Sequence, residues 1–209
     1  MTSFPKNITI IDYGTSNLRS VTKAFIKAGA NITITSKAKD IEDAERLVLP
    51  GVGSFGNGMS MLENLGLIDS LNIFISRGNP LLGICLGMQM LLESSEEDEK
   101  KRGLSFIKGK VVKIPVGSNS YISRKIPHIG WSKIDLHKTE NRIFSNIDKK
   151  DYFYFVHSYM SNPYDETKII ASCNYNEFQV TAAIENSNII GLQFHPEISG
   201  ASGLKIIDN

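Results

Sequence analysis

Apolar residues along the chain fall into two alternating patterns. Short β-branched or aliphatic runs at 7–11, 31–35, 46–49 and 80–84 each read as a strand. Between them, stretches with apolar residues three and four apart read as helices. In 17–28, Leu18, Val21, Ala24, Phe25 and Ala28 share one face, and Gly29 follows as a C-cap. Residues 39–44 suit a helical turn, while 59–71 and 86–93 suit longer helices. Turn signals punctuate the series at Asp12-Tyr13-Gly14 and Pro50-Gly51. Strands alternating with helices predict an α/β fold, a mostly parallel central sheet flanked by helices.

From Gly103 onward the pattern changes. Runs at 110–114, 131–134, 152–156, 168–172, 181–184 and 189–194 are strand-like, with Gly, Pro and Asn between them. They predict an added antiparallel section. No low-complexity linker and no internal repeat divides the 209 residues, so a single domain spanning 1–209 is expected. The segment 94–102 carries Glu96, Glu97, Asp98 and Glu99, then Lys100, Lys101 and Arg102, and reads as a solvated helix end or loop.

Composition narrows the function classes. Hydrophobic residues are 41% and charged residues 22%, as in a globular protein. Lys+Arg 23 against Asp+Glu 22 leaves a net charge of +1, which excludes an electrostatic drive toward nucleic acid. Two cysteines, Cys85 and Cys173, make no disulfide framework and suit a reducing compartment. No apolar run approaches the ~20 residues of a membrane span, and residues 1–6 lack a signal-peptide core. The expectation is a soluble cytoplasmic protein with neither nucleic-acid nor membrane partners.

Three segments carry candidate chemistry. In Gly83-Ile84-Cys85-Leu86-Gly87 an apolar strand runs into a cysteine from which a helix starts. A thiol at a helix N-terminus meets unpaired N–H groups and the positive end of the helix dipole, which favour thiolate. The Leu86 N–H at the same helix end can serve an oxyanion. Alone, Cys85 reads equally as a packing cysteine. Gln193-Phe194-His195-Pro196-Glu197 places a carboxylate two residues from a histidine. Extended, the two side chains project to one side, and Pro196 stiffens the link. Alone, this reads equally as a surface turn. The glycine-rich Pro50-Gly51-Val52-Gly53-Ser54-Phe55-Gly56 follows a strand and offers backbone donors at Val52 or Gly53 for a developing oxyanion, or is a plain tight turn. It lacks the Gly-Lys-Ser/Thr ending of a phosphate loop.

In order and surroundings these segments resemble the glutaminase subunits of imidazole glycerol phosphate synthase, which are triad-type glutamine amidotransferases. The resemblance runs almost end to end. It spans Ile11-Asp12-Tyr13-Gly14 and Asn17-Leu18-Arg19-Ser20-Val21, Leu49 to Gly53, and the cysteine segment through Met88-Gln89. It continues through Pro127-His128-Ile129-Gly130-Trp131, Tyr154 to Tyr159, and Gly191 to Glu197. The resemblance implies a flavodoxin-like fold with Cys85 as nucleophile, His195 as acid–base and Glu197 as its orienter. It implies an oxyanion hole at Val52, Gly53 and Leu86, and L-glutamine held by Gly53, Gln89, Ser158 and Tyr159. The reaction would release ammonia and hydrolyse a thioester, with no metal and no cofactor. The ammonia would pass to a docked (βα)₈-barrel synthase in a heterodimer, with Tyr13, Asn17, His128, Trp131 and Ile198 at the interface. Three residues depart from the usual pattern: Ser16 replaces Gly, Ser132 replaces Asn, and Ile198 replaces the Lys that pairs with an acidic partner residue. All three fall on partner-facing segments, and Ile198 implies a more apolar contact or a displaced ion pair. The acceptor is therefore open between the histidine pathway and a nucleotide sugar of glycan synthesis. A non-catalytic docking subunit is a third reading, against which the complete Cys85, His195 and Glu197 set argues. Because the second oxyanion donor lies in a glycine loop, low activity without the partner is expected. Cys173 reads as structural and His137 as a surface residue.

Overall fold

The computed structural model describes residues 6–14, 17–117, 125–137 and 140–209. The first half builds β1 (Asn7–Ile11), α1 (Leu18–Lys27), β2 (Asn31–Thr35), α2 (Ala38–Glu42) and β3 (Leu47–Gly51). Next come α3 (Phe55–Asn64), α4 (Ile68–Ser76), β4 (Leu81–Cys85) and α5 (Leu86–Met90). The second half adds β5 (Ser94–Ser95), β6 (Gly109–Lys113), β7 (His128–Lys133), β8 (Asp135–Leu136), β9 (Tyr152–His157) and β10 (Tyr159–Pro163). It closes with β11 (Ile169–Tyr175), β12 (Phe178–Asn186), β13 (Ile189–Leu192) and α6 (Gly200–Asp208).

Eight strands form the central sheet in the order β2-β1-β3-β4-β13-β12-β11-β8. The five from β2 to β13 are parallel, and β12, β11 and β8 continue the sheet antiparallel. The inner parallel strands β1, β3, β4 and β13 are covered on both faces, as their β-branched and aliphatic runs require, while the edge strand β2 is largely exposed. On β1 and β3, Ile11, Leu47 and Leu49 pack with α3, α4 and α5 residues such as Phe55, Leu71 and Met88, while Ile8, Ile10 and Val48 pack with Val21 and Phe25 of α1 and Ile207 of α6. A separate cluster, including Phe153, Phe155, Cys173, Val180 and Phe194, fills the space beside the antiparallel half. Two smaller units lie apart from this sheet: β10-β6-β5, and an antiparallel ribbon of β7 and β9.

Two helices differ from the sequence expectation. The stretch 59–71 is two helices rather than one, because α3 ends in a left-handed Gly66 (φ +66°). Gly66 N–H bonds the Glu63 carbonyl and Leu67 N–H bonds that of Leu62, and both leucines are fully buried. This Schellman ending satisfies the last carbonyls and turns the chain. Helix α5 stops at Met90 instead of running to 93. Residues 103–107 fold back so that Leu104, Ile107 and Ser105 donate to the Met90, Leu91 and Leu92 carbonyls. The charged segment 94–102 is also more than a solvated loop. Ser94–Ser95 pairs with β6, and Glu97 Oε2 accepts from the Phe55 N–H at 2.7 Å, capping α3.

Candidate active site

Strand register brings the three sequence segments together. β3 and β4 pair with Gly51 opposite Cys85, so the Val52–Gly53 loop leaves its strand beside the cysteine. β13 enters on the other side of β4 with Leu192 opposite Ile84, which sets Gln193 next to Cys85 and His195 just beyond. All three lie past the carboxyl ends of parallel strands, where open α/β sheets place their sites.

Cys85 occupies the N-cap position of α5 at φ +53° and ψ −108°. A non-glycine residue in that region costs roughly 1–3 kcal/mol and persists only where packing over-determines it. Gly87 provides that packing, since a Cβ there would overlap the Leu49 carbonyl oxygen of β3. The cysteine is 7% exposed, at the head of its helix.

His195 Nδ1 lies 2.8 Å from Glu197 Oε1, and both side chains are almost fully buried. The sequence expectation of an extended link is corrected here. Residues Pro196–Ile198 form a 3₁₀ turn, and the Ser199 hydroxyl donates to the His195 carbonyl at 2.6 Å. The tight turn, rather than strand alternation, swings Glu197 back onto the ring. His195 Nε2 and Glu197 Oε2 are buried and have no hydrogen-bond partner among the described residues. Burial disfavours charge on the ring, but the adjacent Cys85 sulfur and Glu197 outweigh it, and His195 is pushed up to about 10.

A cavity of about 430 Å³ opens over Cys85. Val52, Gly53, Leu86, Gln89, Ser158, Tyr159 and His195 line it, while Glu197 lies behind His195. Gly53 holds φ +103°, a conformation that glycine adopts without strain. Glu97, His157 and Gln193 are three participants that sequence reasoning missed. Glu97 and His157 line the cavity, and Glu97 is its only carboxylate among the described residues. Gln193, fully buried, directs its amide nitrogen at Cys85 Sγ, 3.7 Å away, and accepts from Gln89 Nε2 at 3.1 Å. Gln89 Nε2 also donates to the Tyr159 carbonyl at 3.0 Å. Both amide protons of Gln89 are thereby engaged, leaving its carbonyl oxygen for a ligand.

A family model described as "Glutamine amidotransferase class-I" matches residues 9–209. The chain belongs to that family. Among curated relatives, the imidazole glycerol phosphate synthase subunit HisH of Methanothermobacter thermautotrophicus is 45% identical over 202 residues, covering 97% of this chain and 96% of the relative. The HisH subunit of Aquifex aeolicus is 42% identical over 201 residues, covering 96% and 93%. Within the class-I amidotransferases the chain is therefore of the HisH kind. The PurLQS structure from Thermotoga maritima, 18% identical, shares the fold with a TM-score of 0.73, covering 98% of this chain and 96% of that one.

Two interface expectations for this amidotransferase are corrected by burial. Tyr13 is fully buried, and its hydroxyl donates to the Pro50 carbonyl at 2.7 Å, holding the base of the glycine loop. His128 is 1% exposed and stacks on Phe155 and Tyr175. Tyr13, two residues past β1, is drawn inward over β3, where Gly51 leaves room for its hydroxyl, and β7 turns alternate residues, His128 among them, inward. Trp131, Ile198 and Asn17 are exposed, and α1, which Asn17 precedes, packs against the Pro196–Ile198 turn. Ser16 lies outside the described residues. Cys173 is a buried core residue whose thiol burial, with Asp135, pushes up to about 12. His137 is exposed and bonds the Ser172 hydroxyl at 2.9 Å.

Proposed function

We propose that this chain, acting as a single domain, hydrolyses L-glutamine to glutamate and ammonia and passes the ammonia to a (βα)₈-barrel synthase subunit in a heterodimer. The reaction served is imidazole glycerol phosphate formation in histidine biosynthesis. The observation that carries the reading is one cavity faced by Cys85 at a helix start and by His195, whose far nitrogen is held by Glu197. The Cys85 sulfur attacks the side-chain amide carbon of glutamine, and the oxyanion lies against the N–H groups of Leu86 and of Val52 or Gly53. Protonated His195 gives its Nε2 proton to the departing ammonia. Neutral His195 then takes a proton from the water that hydrolyses the thioester. Glu97 faces the substrate ammonium, and the Gln89 carbonyl oxygen accepts from a glutamine N–H. Ser158 and Tyr159 close the cavity.

The mouth of the cavity is apolar. Val52 and Val156 line it and are themselves exposed, and the ribbon that carries Val156 also exposes Ile129, Tyr152 and Trp131, the last at 54%. Such a surface beside the site of ammonia release suits a permanent partner. Ile198, exposed after the Glu197 turn, extends it with an apolar contact where the resemblance implies Lys. The HisH relatives support the histidine-pathway acceptor and lend none to the nucleotide-sugar alternative. Two free, buried thiols accord with a cytoplasmic setting, and among the described residues no helix is long and apolar enough to cross a membrane.

Ammonia release from glutamine, measured with and without the barrel subunit, tests the proposal. Cys85→Ala is expected to abolish it, and the partner to raise the wild-type rate. Full activity of the isolated chain, or equal rates for Cys85→Ala and wild type, would overturn it. Trp131→Ala is expected to weaken partner binding by ~2 kcal/mol, roughly 30-fold in Kd by titration calorimetry, and to leave the fold intact.

A further inference from the structure

His128 and His157 face each other across the β7–β9 ribbon as a directly paired register position. Their ring nitrogens meet, His128 Nδ1 to His157 Nε2, at 3.1 Å. The direction of every hydrogen bond in this group is fixed by one acceptor. His157 Nδ1 lies 2.8 Å from the Tyr159 carbonyl oxygen, which can only accept, so Nδ1 carries the proton. Burial holds both rings well below the usual histidine range, His157 near 3 and His128 near 4, so both are neutral. His157 Nε2 is therefore bare and accepts from His128 Nδ1–H. His128 Nε2 is bare in turn and accepts from the Ser132 hydroxyl at 3.0 Å. The Tyr159 carbonyl also accepts from Gln89, whose second N–H reaches Gln193, whose amide reaches the Cys85 sulfur.

We infer that His128 is a positioning residue of the glutaminase: its Nδ1–H fixes the His157 tautomer, which anchors the Tyr159 carbonyl and through it the Gln89 and Gln193 amides around Cys85. The inference rests on the glutaminase reading above. His128 does not line the cavity, whereas His157, Tyr159 and Gln89 do. Without the His128 donor, the buried His157 Nε2 has no proton to accept. The ring then either keeps an unsatisfied nitrogen or shifts its proton to Nε2, turning a lone pair toward the Tyr159 carbonyl. The unsatisfied nitrogen is costly in a buried ring, and the shift that relieves it releases the carbonyl that orients Gln89.

Two substitutions separate positioning from packing. His128→Phe keeps the ring stacked on Phe155 and Tyr175 and removes the donor. His128→Asn loses the stacking and restores an N–H close to the Nδ1 position. The chain is assayed together with its synthase subunit, and Cys85→Ala supplies the background. Positioning predicts that kcat/KM for glutamine falls about tenfold in His128→Phe, at unchanged secondary structure, and that His128→Asn recovers most of it. A merely structural role predicts the reverse order. Long-range ¹H–¹⁵N spectra of the wild-type chain at neutral pH should show His157 protonated at Nδ1 alone, and His128→Phe should lose that signature. Wild-type rates in His128→Phe, no recovery in His128→Asn, or an Nε2–H tautomer in the wild type would each overturn the inference. If His128→Phe fails to fold, His128→Asn and the wild-type tautomer carry the decision. Absence of Cys85-dependent activity in the wild type would instead overturn the glutaminase reading, and the tautomer would still be read.

Discussion

His195 stands just past β13, between the Cys85 sulfur and the Glu197 carboxylate, whereas His157 ends β9 between a second neutral imidazole and a main-chain carbonyl. The two rings line the same cavity and are buried to nearly the same degree, 4% and 6% exposed. Burial alone would push both toward the neutral form. His195 is nevertheless pushed up to about 10, because the sulfur and the carboxylate favour a charged ring, while burial takes His157 down to about 3, the Tyr159 carbonyl being a dipole too weak to offset it and the charged His195 adding to it. The chemistry of the neighbours, and not depth, decides which histidine transfers protons and which holds a wall in place.

Removing the anion behind His195 breaks the contrast most directly. Glu197→Gln keeps an acceptor for Nδ1–H and removes the charge that favours imidazolium. Ammonia release is expected to fall roughly 10²-fold or more, with the alkaline limb of its pH profile moving to lower pH. The pH dependence of stability sharpens the contrast further. His195 is raised from 6.5 to about 10, so its contribution is complete below pH 6.5 and is lost as pH rises toward 10. His157 and His128 are lowered from 6.5 to about 3 and about 4, so the unfolded chain binds more protons there and stability falls as pH drops below 6.5. For His157 the slope is about 1.4 kcal/mol per pH unit. Denaturant midpoints measured across pH should form a dome with its top near neutrality. Cys85→Ala should flatten the alkaline side, and His128→Phe the acid side. The smallest expected effect tests the ring stack and the bond from the Tyr175 hydroxyl to the Lys125 carbonyl, both remote from the tautomer. Tyr175→Leu removes the ring 4.0 Å from His128 and should lower stability by about 1 kcal/mol, a few degrees in Tm, without changing the His157 tautomer.

The legible parts of the site were local. The Cys85 elbow could be read because a buried strand, a cysteine and a helix start follow one another within a few residues. His195 and Glu197 could be read because two residues separate them, although a 3₁₀ turn rather than an extended strand joins them. Gln193, Glu97 and His157 were not legible. Gln193 reaches Cys85 only through the β13–β4 register, and His157 meets His128 only across the ribbon. Glu97 sat in a charge run that composition alone reads as solvated, yet one of its oxygens caps α3 at the cavity wall.

Hydrophobic periodicity and turn residues by themselves determined the order and kind of most elements and the strand-to-helix cysteine. Those features depend on backbone preferences acting over a few neighbouring residues. Tertiary structure alone decided that Tyr13 and His128 turn inward while Trp131 turns outward, and that one histidine is charged while another is neutral. Facing and protonation are set by what covers a residue from elsewhere in the chain, and that cover comes from strands far apart in sequence.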